Sequence, residues 1–279
     1  MTSTIVLLVL FAALLHATWN AVLKGGADRL WSMNVMGLAS ALACAVFLPF
    51  MPLPATASWP CIAGSALFHV GYNVFLIRAY RSGDFGTAYP IARGSSPLLV
   101  TLGAALVAKE LPGASGMAGI VLVSGGIISL AFQGHRLREA GIFYALGTGA
   151  FIAAYSVTDG IGGRLSGNTL DHTLAYTLWM SLFSGMSTLP IYLVRRRGEA
   201  IWRGWRETGL AAGGGIISLL AYGIVIFAMT RAPMGSVSAL RETSVLFAIL
   251  LARIFFAEKL TARRIGSVLV IALGALCLE

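Results

Sequence analysis

Ten stretches of about 20 apolar residues follow one another along this chain, and they leave very few folds open. They run over roughly residues 3–23, 31–50, 60–80, 85–107, 114–132, 141–162, 172–194, 209–230, 234–256 and 262–278. Short polar or Gly/Pro breaks separate them: KGGADR, MPLPATASWP, RSGD, KELPG, QGHRLREA, RLSGNTLD, RRRGEAIWRGWRE, RAP and EKLTARR. An α-helix of that length matches the hydrocarbon thickness of a bilayer. Open sheet cannot cross hydrocarbon because its edge amides would be unsatisfied. Barrel strands would alternate in polarity over about ten residues, whereas these runs are continuous. Hydrophobic residues make up 57% of the chain and charged residues 11%, with a mean hydropathy of +0.83. A soluble domain is about 25% charged, so no soluble core could hide this much apolar side chain. The expected fold class is an all-α integral membrane protein of ten transmembrane helices. The first run has no basic residue before it and is read as a retained helix, not a cleaved signal.

The net charge of +9 does not point to nucleic acid, because the basic residues sit mainly in the breaks. The loops after the first, third, fifth, seventh and ninth runs carry Lys24, Arg29, Arg78, Arg81, Arg136, Arg138, Arg195, Arg196, Arg197, Arg203, Arg206, Arg253, Lys259, Arg263 and Arg264. The other face has only Lys109, Arg164 and Arg231. The positive-inside rule makes the basic face cytoplasmic and puts both termini outside. Trp31, Trp59, Trp202 and Trp205 stand at run ends and read as interfacial anchors.

An internal repeat is visible in the chain itself. YPIARGSSPLL in the fourth run aligns with SALRETSVLF in the ninth, placing Arg93 over Arg241 and Ser96 over Ser244. KELPGASGMAGIVLVSGG aligns with AEKLTARRIGSVLVIALG, with Glu110 over Glu258. LHATWNAVLK aligns with FIAAYSVTDG, with Trp19 over Tyr155. The chain therefore divides into residues 1–132, a linker 133–140, and residues 141–279. Each half holds five helices, an odd number, so the second half enters the membrane from the opposite side as an inverted repeat around a central cavity.

Arg93 is the most informative residue, because an arginine at the bilayer centre costs about 3 kcal/mol or more. It shares a helix face with Tyr89 and Ser96 at i, i+4, i+7 spacing, and Pro97 is expected to loosen that helix. The inverted repeat brings Arg93 and Arg241 towards the midplane from opposite sides. Glu242 reads as the sole acid well inside a run. Two cations and one carboxylate leave a positive surplus, suited to a carboxylate or phosphate on a substrate. The structural alternative is an internal Arg–Glu pair that braces the bundle, and Glu242 is also a candidate proton carrier. His16 and Asn20 lie with Lys24 on one face of the first helix, beside Trp19; His69 and Tyr72 form a similar face on the third. Tyr155, Trp179 and Tyr222 add aromatic lining that can stack on an apolar group while offering a hydrogen bond. Each histidine has a bland alternative as a helix–helix hydrogen bond.

Other chemistries lack their residues. No GxxxxGK[ST] sequence is present for nucleotide-driven transport, and no HExxH or aspartate-rich motif lies within a run. The isolated Cys44, Cys61 and Cys277 read as small hydrophobes. Catalytic, metal and cofactor sites are therefore not expected.

The segments LHATWNAVLK, AYPIARGSSPLLV and ALRETSVLFAILLARIFFAEKLT, with the two five-helix halves, resemble the drug/metabolite transporter superfamily, in its EamA-type branch. The resemblance implies a ten-helix basket whose cavity is lined mainly by the first, third, fourth, sixth, eighth and ninth helices. It implies Trp19, Tyr72, Tyr89, Arg93, Tyr155, Tyr222 and Arg241 in that lining. It also implies secondary transport, often export of amino acids and related metabolites. Many members keep both termini in the cytoplasm, opposite to the loop-charge reading. The expected function is a secondary exporter of amino acids or similar small metabolites in a bacterial-type cytoplasmic membrane. Its partners would be a small-molecule substrate, the bilayer and a proton or ion gradient, and a monomer would suffice. The alternatives are a multidrug exporter and a carrier of a phosphorylated or anionic metabolite.

Overall fold

A computed structural model of the chain describes residues 1–25, 28–82, 85–132, 139–167, 169–196, 199–256 and 261–278. Glu258, Lys259, Arg136, Arg138 and Arg197, all used in the sequence reading, lie outside the described residues, as does most of the linker 133–140. The helices are α1 (Ser3–Gly25), α2 (Arg29–Phe47), α3 (Trp59–Ser82), α4 (Phe85–Gly103), α5 (Ala114–Ala131) and α6 (Glu139–Leu165). They continue as α7 (Leu170–Met186), α8 (Thr188–Arg195), α9 (Trp205–Arg231), α10 (Met234–Arg241), α11 (Ser244–Phe256) and α12 (Ala262–Leu276). No strand occurs among the described residues. Nine described segments are long and apolar enough to cross a membrane. The tenth, α12, has 15 residues, about 22 Å of helix at 1.5 Å per residue.

Two runs that read as continuous are broken, and the one expected to loosen is not. The fourth helix passes unbroken through Pro90 and Pro97 and ends in a π-helical turn at Ala104–Ala108, with Lys109 left-handed at φ 53°. The seventh run splits at Ser187, where Pro190 lacks the amide that would bond Met186. The ninth splits after Arg241, where Thr243 Oγ1 donates to the Leu240 carbonyl at 2.7 Å. That competing side-chain bond tightens the turn and opens the helix at the Arg–Glu pair.

Packing follows the inverted repeat. The contact of α3 with α6 has its mate in that of α1 with α9, and α2 with α9 has its mate in α3 with α7. Among the helix pairs that are their own mates, two cross at reciprocal glycines. A Cβ on Gly37 of α2 would fall on the carbonyl oxygen of Gly185 of α7, and one on Gly185 would lie 2.6 Å from the Gly37 oxygen. A Cβ on Gly119 of α5 would lie 2.7 Å from the Gly274 oxygen of α12, and the reverse distance is 2.9 Å. Small residues let backbones touch where lipid supplies no hydrophobic drive to associate.

The basic-loop face carries its own clasp. Asp28 caps α2 by accepting from the Trp31 amide at 3.1 Å, and pairs with Arg196 at 3.1 Å and Arg203 at 3.0 Å. Burial pushes the Asp28 carboxyl up, but the Trp31 amide and the two guanidinium groups outweigh it and hold it below the usual carboxylate range. Trp31 is not the lipid-facing anchor expected from its position. It is 4% exposed, donates its indole N–H to the Ile201 carbonyl at 2.8 Å, and lies under the Arg203 guanidinium at 4.8 Å. Charge in the long seventh-to-eighth connection folds this tryptophan inwards, whereas Trp205 stays 86% exposed.

Candidate functional site

Arg93 and Arg241 each stand about two turns in from the N-terminal end of their helix, so helices that enter from opposite faces carry both towards the middle of the bundle. There they share one counter-charge. Arg93 Nε lies 2.7 Å from Glu242 Oε2, and Arg241 Nη2 lies 3.3 Å from Glu242 Oε1. The three residues are 6%, 2% and 0% exposed. The Arg93–Glu242 contact is an ion pair without hydrogen-bond alignment, and Arg241 Nε has no acceptor among the described residues. Arg93 Nη2 also reaches Ser244 Oγ at 3.4 Å, the repeat mate of Ser96. Ser96 itself turns back to the Arg93 carbonyl at 3.0 Å and stays buried.

Both arginines form part of the wall of a cavity of about 460 Å³. That volume suits one small metabolite. The lining brings together His16, Trp19, Asn20, His69, Tyr72, Tyr89, Arg93, Tyr155, Tyr222 and Arg241. Glu242 and Trp179 are not in it. Glu242 sits behind the two guanidinium groups, with no face to the cavity. Trp179 packs at 5.2 Å against Trp59 at the start of α3 and at 5.9 Å against Phe183 of its own helix. No carboxylate is found among the described lining residues.

The aromatic wall is continuous. His69 stacks on Tyr155 at 4.2 Å, Tyr72 and Tyr222 meet Tyr155 edge-on at 5.9 Å, and Arg93 lies 5.8 Å from the Tyr89 ring. The Trp19 indole can only donate, so its 3.2 Å contact makes His16 Nδ1 an acceptor. The 2.9 Å contact of His69 Nδ1 with the Ser65 carbonyl makes that nitrogen a donor and leaves Nε2 as an acceptor. Asn20 donates to the His16 carbonyl at 2.8 Å, and Asn73 to Ser187 Oγ at 3.1 Å. The side chain of Lys24, expected on the same face as His16, lies outside the described residues.

The second and seventh helices line the cavity too, which the family resemblance did not imply. Met33, Met36 and Ser40 come from α2, and Ser181 and Ser184 from α7. The Gly37–Gly185 crossing draws these helices together beside the cavity, and the small residues of GLASA and SGMS were the available signal. The lining runs out to exposed Arg29 at the start of α2, on the basic-loop face.

The other face is held by a different set of groups. Arg164 at the end of α6 pairs with Glu110 at 2.6 Å. It also donates to the carbonyls of Met229, at 2.9 and 2.7 Å, and Ala232, at 3.2 Å. Glu110 in turn accepts from the Met234 amide at 2.5 Å, capping α10 with a negative charge. These bonds tie α6, α9, α10 and the fourth-to-fifth connection together.

One buried acid escaped the sequence reading, which took Glu242 as the sole acid well inside a run. Asp159 lies within the sixth run and is fully buried. Tyr176 donates to its Oδ1 at 2.9 Å and Tyr222 to its Oδ2 at 2.6 Å. The signal was present in FIAAYSVTDG, where Asp159 follows Tyr155 by one helical turn.

An all-helical, multi-pass membrane protein of two inverted halves around a cation-bearing cavity defines the class of internally repeated carriers. The chain belongs to the EamA-like transporter family, whose model matches residues 3–132 and again residues 139–278. The family consists of transporters, not enzymes. A solved crystal structure is similar over 99% of this chain and 95% of its own, with a TM-score of 0.75 and 17% identity. At that identity the likeness concerns the fold alone. Among curated proteins, none matches the chain.

Proposed function

We propose that this chain is a secondary exporter of amino acids or closely similar small carboxylates, working by alternating access between residues 1–132 and 141–279 about the linker 133–140. The observation that carries this reading is the pair Arg93 and Arg241, which share the single Glu242 yet both line the cavity. One surplus positive charge in a low-dielectric site favours one anionic group, and guanidinium matches carboxylate geometry. Glu242 serves as the counter-charge that keeps the arginines in place, not as the ammonium partner. The ammonium is met by Tyr155 and Tyr222, by the His69 Nε2 acceptor and by aromatic faces. The aromatic wall takes the side chain, which favours apolar or aromatic amino acids.

A lipophilic-cation exporter is disfavoured by a lining that carries arginines and no described carboxylate. The cavity reaches the basic-loop face, which the positive-inside rule makes cytoplasmic. The conformation is then inward-facing, with both termini outside, in a bacterial-type cytoplasmic membrane. One chain encloses the cavity, so a monomer suffices.

Counterflow of labelled amino acids in proteoliposomes tests this reading. The wild type should exchange a subset of apolar or aromatic amino acids, and Arg93→Ala should lose that exchange. Exchange of none of them by the wild type, or unchanged exchange by Arg93→Ala, would remove the proposal.

A further inference from the structure

Among the described residues, Asp159 is the one fully buried carboxyl group that the substrate reading leaves without a task. Both its oxygens accept hydrogen bonds from tyrosine hydroxyls, Tyr176 at 2.9 Å and Tyr222 at 2.6 Å, and no ion pair is formed at Asp159 among the described residues. It lies outside the cavity lining, but Tyr222 belongs both to the lining and to the Asp159 cluster. The geometry points to Asp159 as a proton-binding site that couples transport to a pH gradient, with Tyr222 relaying its state to the cavity. The inference rests on the reading of the chain as a carrier.

The hydrogen-bond inventory supplies the coupling. A carboxylate only accepts, so with Asp159 ionised the Tyr222 hydroxyl must donate to Oδ2, leaving its oxygen lone pairs free towards the cavity. An ammonium group can then donate to Tyr222. When a proton from the facing aqueous side adds to Oδ2, the new O–H needs an acceptor, and the nearest oxygen is that of Tyr222. The Tyr222 hydroxyl then accepts from Asp159 and turns its own hydrogen to the cavity, where it opposes an ammonium. No bond other than O–H forms or breaks, and the proton leaves to the opposite face when the cavity opens there. Proton and substrate therefore bind at each other's expense, which is the requirement for antiport.

The groups around Asp159 do not supply a competing base. From α7 the titratable neighbour is Tyr176, and from α9 it is Tyr222. On α3 Cys61 is within electrostatic reach, and His69 stands beyond the Tyr155 and Tyr222 rings, its Nδ1 committed to the Ser65 carbonyl. On its own helix, Tyr155 lies one turn away. Arg241 of α10, and Arg93 and Tyr89 of α4, belong to the Glu242 cluster on the far side of Tyr155, and α10 packs Met234 against neighbouring Gly160. The Thr56–Ser58 turn holds no titratable side chain.

Two measurements separate this inference from the substrate assignment. Infrared difference spectra of the purified protein between mildly alkaline and mildly acidic buffer need no substrate. They should show a carboxylic-acid carbonyl band that Asp159→Asn removes and Tyr222→Phe shifts. No such band in the wild type, or a band that survives in Asp159→Asn, overturns the proposal whatever the substrate. In proteoliposomes, an acidic interior should speed wild-type uptake several-fold over the gradient-free rate. Asp159→Asn should exchange substrate without responding to the gradient, and a gradient response kept by that variant contradicts the inference. If the wild type exchanges no amino acid while the Asp159-dependent band is present, the substrate assignment fails and the proton site stands.

Discussion

Arg93 Nε and Glu242 Oε2, 2.7 Å apart, join the fourth helix of one half to the broken ninth helix of the other. Arg241 completes the cluster from the far side of the same carboxylate. The brace and the proposed binding site, alternatives at the level of sequence, fall on the same three residues. Glu242 is spent on both guanidinium groups, and the charge it leaves uncovered faces the cavity.

Glu242→Gln should be the most destabilising change in the cluster, because it leaves two buried guanidinium groups facing each other. The expected loss is about 3 kcal/mol, the usual scale for stripping a partner from a buried ion pair. Arg93→Ala should cost less, since Arg241 still balances Glu242. Thermal unfolding in detergent checks the order, which should be wild type, then Arg93→Ala, then Glu242→Gln.

The Gly37–Gly185 crossing predicts a steric effect. Gly37→Ala puts a methyl group onto the Gly185 carbonyl and must push α2 from α7, lowering the melting midpoint and widening the cavity wall. Gly125→Ala is the control, since nothing lies within 4 Å of a Cβ there. Equal midpoints for the two variants would contradict the account.

Asp28 gives the pH dependence of the clasp on the basic-loop face. Its folded pKa is depressed, so its stabilising effect is fully present above the unfolded value of about 3.9 and fades as pH falls through the folded value. Asn caps a helix nearly as well as Asp. The stability gap between wild type and Asp28→Asn should therefore report charge alone, present at neutral pH and closing in acid. A gap that stays constant down to strongly acidic pH would contradict this role.

The opposite face should open when its tie is cut. In a Cys44→Ala, Cys277→Ala background, Cys61 is the remaining thiol, half-buried near the start of α3. Arg164→Ala removes the bonds to Glu110, Met229 and Ala232, and should raise Cys61 labelling by a maleimide several-fold. Arg231→Ala, on the same face but outside that network, should leave labelling unchanged.

Much of this molecule was legible in its sequence because lipid imposes a simple code: span length, loop charge and an odd helix count determined the inverted basket. Arg93 and Arg241 stood out because a charge in hydrocarbon needs a reason. What stayed hidden depended on three-dimensional direction. Pro97 was expected to loosen a helix that runs on, while the ninth broke at Thr243, whose back-bond leaves no periodic trace. Trp179 belonged to an aromatic set by composition, but its helix face turns it to Trp59. The lining from α2 and α7 rests on two glycines that match across the repeat only when the helices are docked. Asp159 stands near the end of the sixth run, and no sequence spacing shows that Tyr176 and Tyr222 close over it.

The central claim is that the arginine pair recognises a carboxylate, and competition in counterflow tests it most directly. Proteoliposomes exchanging a labelled aromatic amino acid are challenged with the unlabelled amino acid and with its decarboxylated amine. The amino acid should compete fully and the amine hardly at all, and Arg241→Ala should erase the distinction. An amine that competes as well as its parent amino acid would show that the arginines do not read the carboxylate.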